Sequence, residues 1–136
     1  MIVDATAMVA AIGDPGAMGE SARAQLSLAP AWHAPAHMAV EVVRTFDRLA
    51  RHGHLTDEQA HRYAMQMVDG VGAAVVLHTD RDLLSTAWTL RANLSTYDAV
   101  YVALAEHLRA PLLTADLRLA RACDRRIPVI ALTRDG

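Results

Sequence analysis

Four acidic side chains stand where apolar neighbours leave little reason for charge. Asp4 follows Ile2 and Val3 directly and precedes a second apolar run, and Glu41 sits among Val and Ala in AHMAVEVVRTF. Asp98 opens the apolar stretch of STYDAVYVALAEHL, and Asp116 closes PLLTAD. Carboxylates brought close repel one another and hold their protons more tightly unless a cation neutralises them. An oxygen-only donor set of this kind suits Mg²⁺ or Mn²⁺. Zinc is less suited, because one cysteine is too few for a thiolate site. Each acid also has a plain alternative. Asp98 and Asp116 at helix starts are stabilised by free amides and the helix dipole, typically by a few tenths to about 1 kcal/mol. Glu41 can pair with Arg44 or Arg48. On that alternative the chain is a non-catalytic α/β binding or assembly domain whose acids are helix caps and salt bridges.

Whether the acids meet depends on the elements that carry them. MIVDA reads as a short buried strand running into one or two helical turns that close at Gly13, Asp14 and Pro15. Residues 17–28 are weakly helical. LAPAWHAP, with two prolines, reads as loop with a short extended piece around Trp32 and His33. Pro35 sits where a helix takes its first residues. The run that follows places Met38, Val42, Phe46 and Leu49 on one stripe as far as Gly53. Thr56 with Gln59 three residues on is a capping box, and Gly70 closes that helix. AAVVLHT (residues 73–79) is strand-like. Helices follow over residues 80–92 and 97–107, the second capped by Ser95 or Thr96. PLLTAD supplies a third strand, LRLARACDRR a last helix and IPVIAL a last strand. Strands alternating with helices in this way predict a mainly parallel α/β sheet covered on both faces. In such a sheet the C-terminal ends of strands and the N-terminal ends of the following helices share one rim, where ligands bind. Asp4, Asp98 and Asp116 all fall on that rim, with Glu41 a turn or so inside its helix.

The chain of 136 residues is 53% hydrophobic with a formal charge of −2, long enough for a packed core and neither strongly basic nor acidic. A lone Cys123 reads as a small buried residue in a reducing compartment. No run of 18 apolar residues and no basic leader are present, which predicts a cytoplasmic protein without a membrane span. All 13 basic residues are Arg, a type suited to phosphate but also produced by GC-rich coding. Arg44 and Arg48, three and seven positions beyond Glu41, are candidates to hold an anionic substrate; Arg81, Arg91, Arg118 and Arg121 are others near the rim. The loop histidines His33, His37 and His52 carry no assigned duty. Tyr101 is expected in the core and Tyr97 nearer the rim. A dehalogenase-like phosphatase would want D-x-D after the first strand, and Thr6 stands at that second position. No phosphate-binding glycine motif is present.

MIVDATA, AVEV, LSTYDAVYVALAEHL and APLLTAD, in that order and spacing, resemble the PIN-domain ribonucleases, and most closely the VapC-type toxins of toxin–antitoxin pairs. The resemblance covers essentially the whole chain, residues 1–136, and implies one PIN-like domain with a three-layer α/β/α fold around a short-stranded sheet. It implies that Asp4, Glu41, Asp98 and Asp116 form the family's acidic quartet. Asp4, Asp98 and Asp116 would hold Mg²⁺ or Mn²⁺, and Glu41 would orient a water. Thr6 matches a frequent hydroxyl after the first acid, Thr114 the polar residue two before the last, and Asn93 a polar position ahead of the third motif. The implied activity is metal-dependent hydrolysis of RNA phosphodiester bonds. The implied partners are a cognate antitoxin and a second copy of the chain. The two apolar-faced helices between Pro35 and Met67 could offer a groove to a partner helix.

Overall fold

The computed structural model describes residues 1–123 and 125–135. Five short strands make one sheet: β1 (Ile2–Val3), β2 (Trp32–Pro35), β3 (Val75–His78), β4 (Leu112–Thr114) and β5 (Val129–Ala131). Their spatial order is β3-β2-β1-β4-β5, and every neighbouring pair is parallel. The helices are α1 (Ala5–Gly13), α2 (Ala17–Leu28), α3 (Met38–Arg51), α4 (Asp57–Asp69), α5 (Asp80–Thr89), α6 (Thr96–Leu108) and α7 (Leu117–Ala122). A 3-10 turn, Val71–Ala74, leads into β3.

β2 corrects the sequence reading, which gives only a short extended piece in a loop there. The two prolines flank the strand rather than break it. Pro35 is its last residue, in register with His78, and the next amide, Ala36 N, donates to His78 O at 2.7 Å. Pro35 therefore ends a strand instead of starting a helix, and α3 begins at Met38. α5 also stops at Thr89, short of the expected Ala92. The capping box at Thr56 and Gln59 is present as expected, with both reciprocal bonds formed.

Packing explains the composition of the elements. On α3, Met38, Val42 and Phe46 are buried on one stripe. α6 buries all seven residues from Ala99 to Ala105, because it lies on β1, β2 and β4 while α5 packs against it. α1 rests on β4 and against α2, α3 and α4. Gly19 lets α2 close on the exit of α1, since a Cβ there would stand 1.9 Å from the Asp14 carbonyl oxygen. Cys123 is buried, as its composition suggests, and burial pushes its thiol up to about 11, so it stays protonated.

The strand order positions the site. β2 and β3 build outward from one side of β1, and β4 and β5 lie on the other. The chain thus reverses its direction of build between β1 and β4. In parallel sheets the crevice beyond the carboxyl ends at such a reversal is where ligands bind.

Candidate active site

Asp4 and Asp116 flank that reversal, one after β1 and one after β4. Both cap helices. Asp4 Oδ1 accepts from Ala7 N at 2.8 Å at the start of α1, and Asp116 Oδ1 accepts from Arg118 N at 2.9 Å and Leu119 N at 3.1 Å at the start of α7. Two hydroxyls join them. Thr6 Oγ1 donates to Asp4 Oδ1 at 2.7 Å and accepts from Ala115 N at 2.9 Å. Thr114 Oγ1 donates to Asp4 Oδ2 and accepts from Asp116 N at 3.0 Å. Thr6 and Thr114 therefore tie the Asp4 carboxylate, as hydrogen-bond donors, to the backbone around Asp116; neither caps a helix, since the N-caps of α1 and α7 are Asp4 and Asp116 themselves.

Capping alone does not account for Asp4. Its residue is 3% exposed, and burial raises its carboxyl to about 6 despite the hydrogen bonds from Thr114, Ala7 and Thr6, with the charge of Asp116 acting in the same direction as burial. A surface cap would have no such shift. The folded protein therefore binds this proton more tightly than the unfolded chain. Asp4's contribution to stability is complete below the ordinary value of 3.8 and is lost as pH rises through about 6. A cation favours the ionised form, so Mn²⁺ should raise the melting temperature little at acid pH and increasingly through about pH 6. Thermal melts with and without Mn²⁺ across that window check this; a constant increment would contradict it.

Asp98 enters from the first turn of α6. Ser95, not Asp98, is the N-cap: its Oγ accepts from Asp98 N at 3.2 Å. The Asp98 side chain, 17% exposed, meets Arg118. A single guanidinium nitrogen, Arg118 Nη2, donates to Asp98 Oδ2 at 2.8 Å and to Asp116 Oδ2 at 3.1 Å. A cation thus already bridges the third and fourth acids.

Glu41 comes from the first turn of α3 and caps nothing. Tyr101 Oη, sixty residues away in the chain, donates to Glu41 Oε1 at 2.8 Å. His37 Nε2, buried without a hydrogen-bond partner, faces the same oxygen at 3.3 Å, while His37 Nδ1 bonds Asp80 Oδ2 at 2.6 Å. The imidazole lies between the rings of Tyr97 and Tyr101, each with centroids 5.2 Å away. Burial raises the Glu41 carboxyl above its ordinary value; the Tyr101 bond and His37 offset part of this, and the charges of Asp98 and Asp80 add to it. Burial also pushes the Tyr101 phenol well up, so it remains a donor. A carboxylate raised in this way is better matched to accept a proton near neutral pH.

Arg44, His37, Val40, Glu41 and Tyr97 line an open cleft of about 480 Å³ beside this acid. Neither Arg44 nor Arg48 pairs with Glu41, contrary to the simplest surface reading; both are exposed along α3. Asn93 stands exposed in the turn between α5 and α6 and bonds none of the four acids. His33 turns away to His78, Nδ1 to Nε2 at 2.9 Å. Three contributors escape the sequence reading: Tyr101, given only a core role, His37, given none, and Arg118, named only for the rim. Two of them carry a helical signal, since Tyr101 lies three residues after Asp98 and His37 four before Glu41.

Among the described residues, no three His, Cys, Asp or Glu side chains stand close enough to share one ion as they are. The donor set still fits a hard cation. It is oxygen-only, and one oxygen of Asp116, the one not used by the α7 cap, shares a single guanidinium nitrogen with one oxygen of Asp98.

A family model described as the PIN domain matches residues 1–125. Ribonuclease VapC9 of Mycobacterium tuberculosis is 37% identical over 134 residues, spanning 98% of this chain and 99% of its own. Ribonuclease VapC3 of the same organism is 39% identical over 90% of this chain and 86% of its own. Among solved structures, Mycobacterium tuberculosis VapC20, a sarcin-ricin loop cleaving toxin, superposes with a TM-score of 0.64 at 18% identity, covering 89% of this chain and 93% of that one. FitAB bound to an IR36 DNA fragment gives 0.59 at 16% identity, covering 96% and 94%. The two structural likenesses show the shared fold.

Proposed function

The chain belongs to the PIN-domain family, and from that premise we propose that it is a metal-dependent endoribonuclease, the toxin of a toxin–antitoxin pair. The observation that carries the chemistry is the bridging of Asp98 and Asp116 by one cationic nitrogen at the carboxyl end of the sheet. Asp4, Asp98 and Asp116 would hold Mg²⁺ or Mn²⁺. Bound there, the ion supplies positive charge against phosphate oxygens and acidifies water.

The chain's own residues do the rest. Glu41, held by Tyr101 and flanked by His37, takes the proton of the attacking water. Thr6 and Thr114 fix Asp4 and the Asp116 backbone. Arg44 in the cleft and Arg48 one turn further along α3 meet the RNA phosphates, giving salt-dependent affinity without base specificity. Asn93, exposed in its turn, is a candidate for substrate rather than for the acids.

An RNA substrate and an antitoxin partner agree with the ribonuclease and VapC names of the relatives. The outward faces of α3 and α4 leave Val40, Val43, Met65 and Val68 exposed, which supports docking of an antitoxin helix. Val76 and Leu77 are exposed on the edge strand β3, which supports pairing with a second copy. Among the described residues no helix is long and apolar enough to cross a membrane. A cytoplasmic location belongs to this proposal because that is where an RNA substrate would be met.

Incubation with structured and single-stranded RNAs tests this reading. Cleavage should stop in EDTA and return with Mg²⁺ or Mn²⁺. The products should lack 2′,3′-cyclic phosphate ends, because water rather than the ribose 2′-hydroxyl attacks. Cleavage undiminished by chelation, or cyclic ends, would contradict it.

A further inference from the structure

Arg118 occupies the two carboxylate oxygens that a cation shared by Asp98 and Asp116 would use. Asp116 Oδ1 is committed to the amides of Arg118 and Leu119, so Oδ2 is the oxygen it can offer to a cation, and Arg118 Nη2 is already on it. The same nitrogen takes Asp98 Oδ2. Backbone and side chain of Arg118 are held very differently. Its amide is fixed in the cap of α7, while its side chain is 66% exposed and, among the described residues, bonded only to the two carboxylates.

We propose that Arg118 is a resident counter-charge for the Asp98–Asp116 pair, that a divalent ion must displace it, and that the displaced guanidinium then binds an RNA phosphate. The proposal rests on the metal-dependent ribonuclease reading of this site. Two carboxylates facing each other without a cation would repel, and the guanidinium relieves that in the metal-free protein. A divalent ion brings more charge to the same oxygens. Once they are taken, a guanidinium anchored at the second residue of α7 remains on the rim, unpaired and beside the reacting strand. Its planar fork of donors suits a phosphate. One side chain thereby couples metal loading to substrate affinity.

Calorimetric titration with Mn²⁺ separates competition from bulk charge. Arg118→Ala removes the competitor, whereas Arg121→Ala removes an equal charge from an exposed position on the same helix. Arg118→Ala should bind Mn²⁺ about fivefold more tightly than the native chain, the size expected for loss of an exposed charge contact, with Arg121→Ala within about twofold. A second arm uses a short mixed-sequence single-stranded RNA and proteins that all carry Glu41→Gln, so that cleavage is slow compared with the binding measurement. With Mn²⁺ present, adding Arg118→Ala should weaken RNA binding and reduce the slope of log affinity against log salt by about one. Without Mn²⁺ it should change RNA affinity little, because Arg118 is then occupied. Mn²⁺ affinity in Arg118→Ala no greater than in Arg121→Ala would overturn the proposal, as would an unchanged salt slope. If Mn²⁺ binds the native chain but Asp98→Asn abolishes it, the site stands whatever Arg118 does. If no variant binds Mn²⁺, both fall.

Discussion

Asp98→Asn is expected to leave a folded protein that cleaves RNA slower by on the order of a thousandfold, the scale of losing a charged group that stabilises a transition state. Folding should survive, because Ser95 rather than Asp98 is the N-cap of α6 and Asn keeps the size of the side chain. The loss of a first-turn acid costs the helix about 0.3–1 kcal/mol. What disappears is one of the two charges that Arg118 now bridges and that an ion would share. Mn²⁺ affinity should fall with the activity. The capping and salt-bridge alternative expects a different result: slightly lower stability, no change in ion binding and no catalytic loss, because there would be none to lose. Melting temperature, Mn²⁺ titration and cleavage rate on one preparation separate the two.

Glu41→Gln is expected to lower the cleavage rate by about 10²- to 10⁴-fold, the usual range for a general base, while Mn²⁺ binding falls far less than in Asp98→Asn. The amide oxygen of Gln can still accept from Tyr101 Oη, so the hydrogen bond that ties α3 to α6 should persist. Gln cannot take a proton from water. Turnover measured at saturating RNA, with ion affinity measured in parallel, checks this. Activity within about twofold of the native chain would remove Glu41 from the mechanism and leave it an ordinary packed acid.

The contrast between these two variants shows what the sequence could and could not reveal. Asp98 is legible because a helix start is legible: Ser95 and Thr96 before an apolar run fix where α6 begins, and Asp98 must lie in its first turn. Asp4 and Asp116 are legible because short apolar strands end at them. Burial of Asp4 and its bond to Thr114, 110 residues along the chain, are tertiary facts that no local pattern carries. The same holds for strand order. Alternating strands and helices predict a parallel sheet, but not that the reversal falls between β1 and β4, and that reversal gives the acids a crevice. β2 is hidden for a different reason. Two prolines within six residues are a strong loop signal, overridden here because both lie at the strand's margins and β3 supplies a ladder. Glu41 is conspicuous as a charge among valines, but its partners are not. Tyr101 reads as core and is core, at 2% exposure, yet its hydroxyl ends on the catalytic candidate. A buried tyrosine needs a partner for that hydroxyl, and this requirement is the signal that could have found the contact.

The proposed chemistry depends on a hard cation being shared by acids drawn from separate segments. Diffraction from crystals soaked in Mn²⁺, read by its anomalous signal, tests this most directly. The expected result is a peak between the Asp98 and Asp116 carboxylates, with the Arg118 guanidinium moved off both. Saturating Mn²⁺ with no peak there, and Arg118 still bridging the two acids, would contradict it.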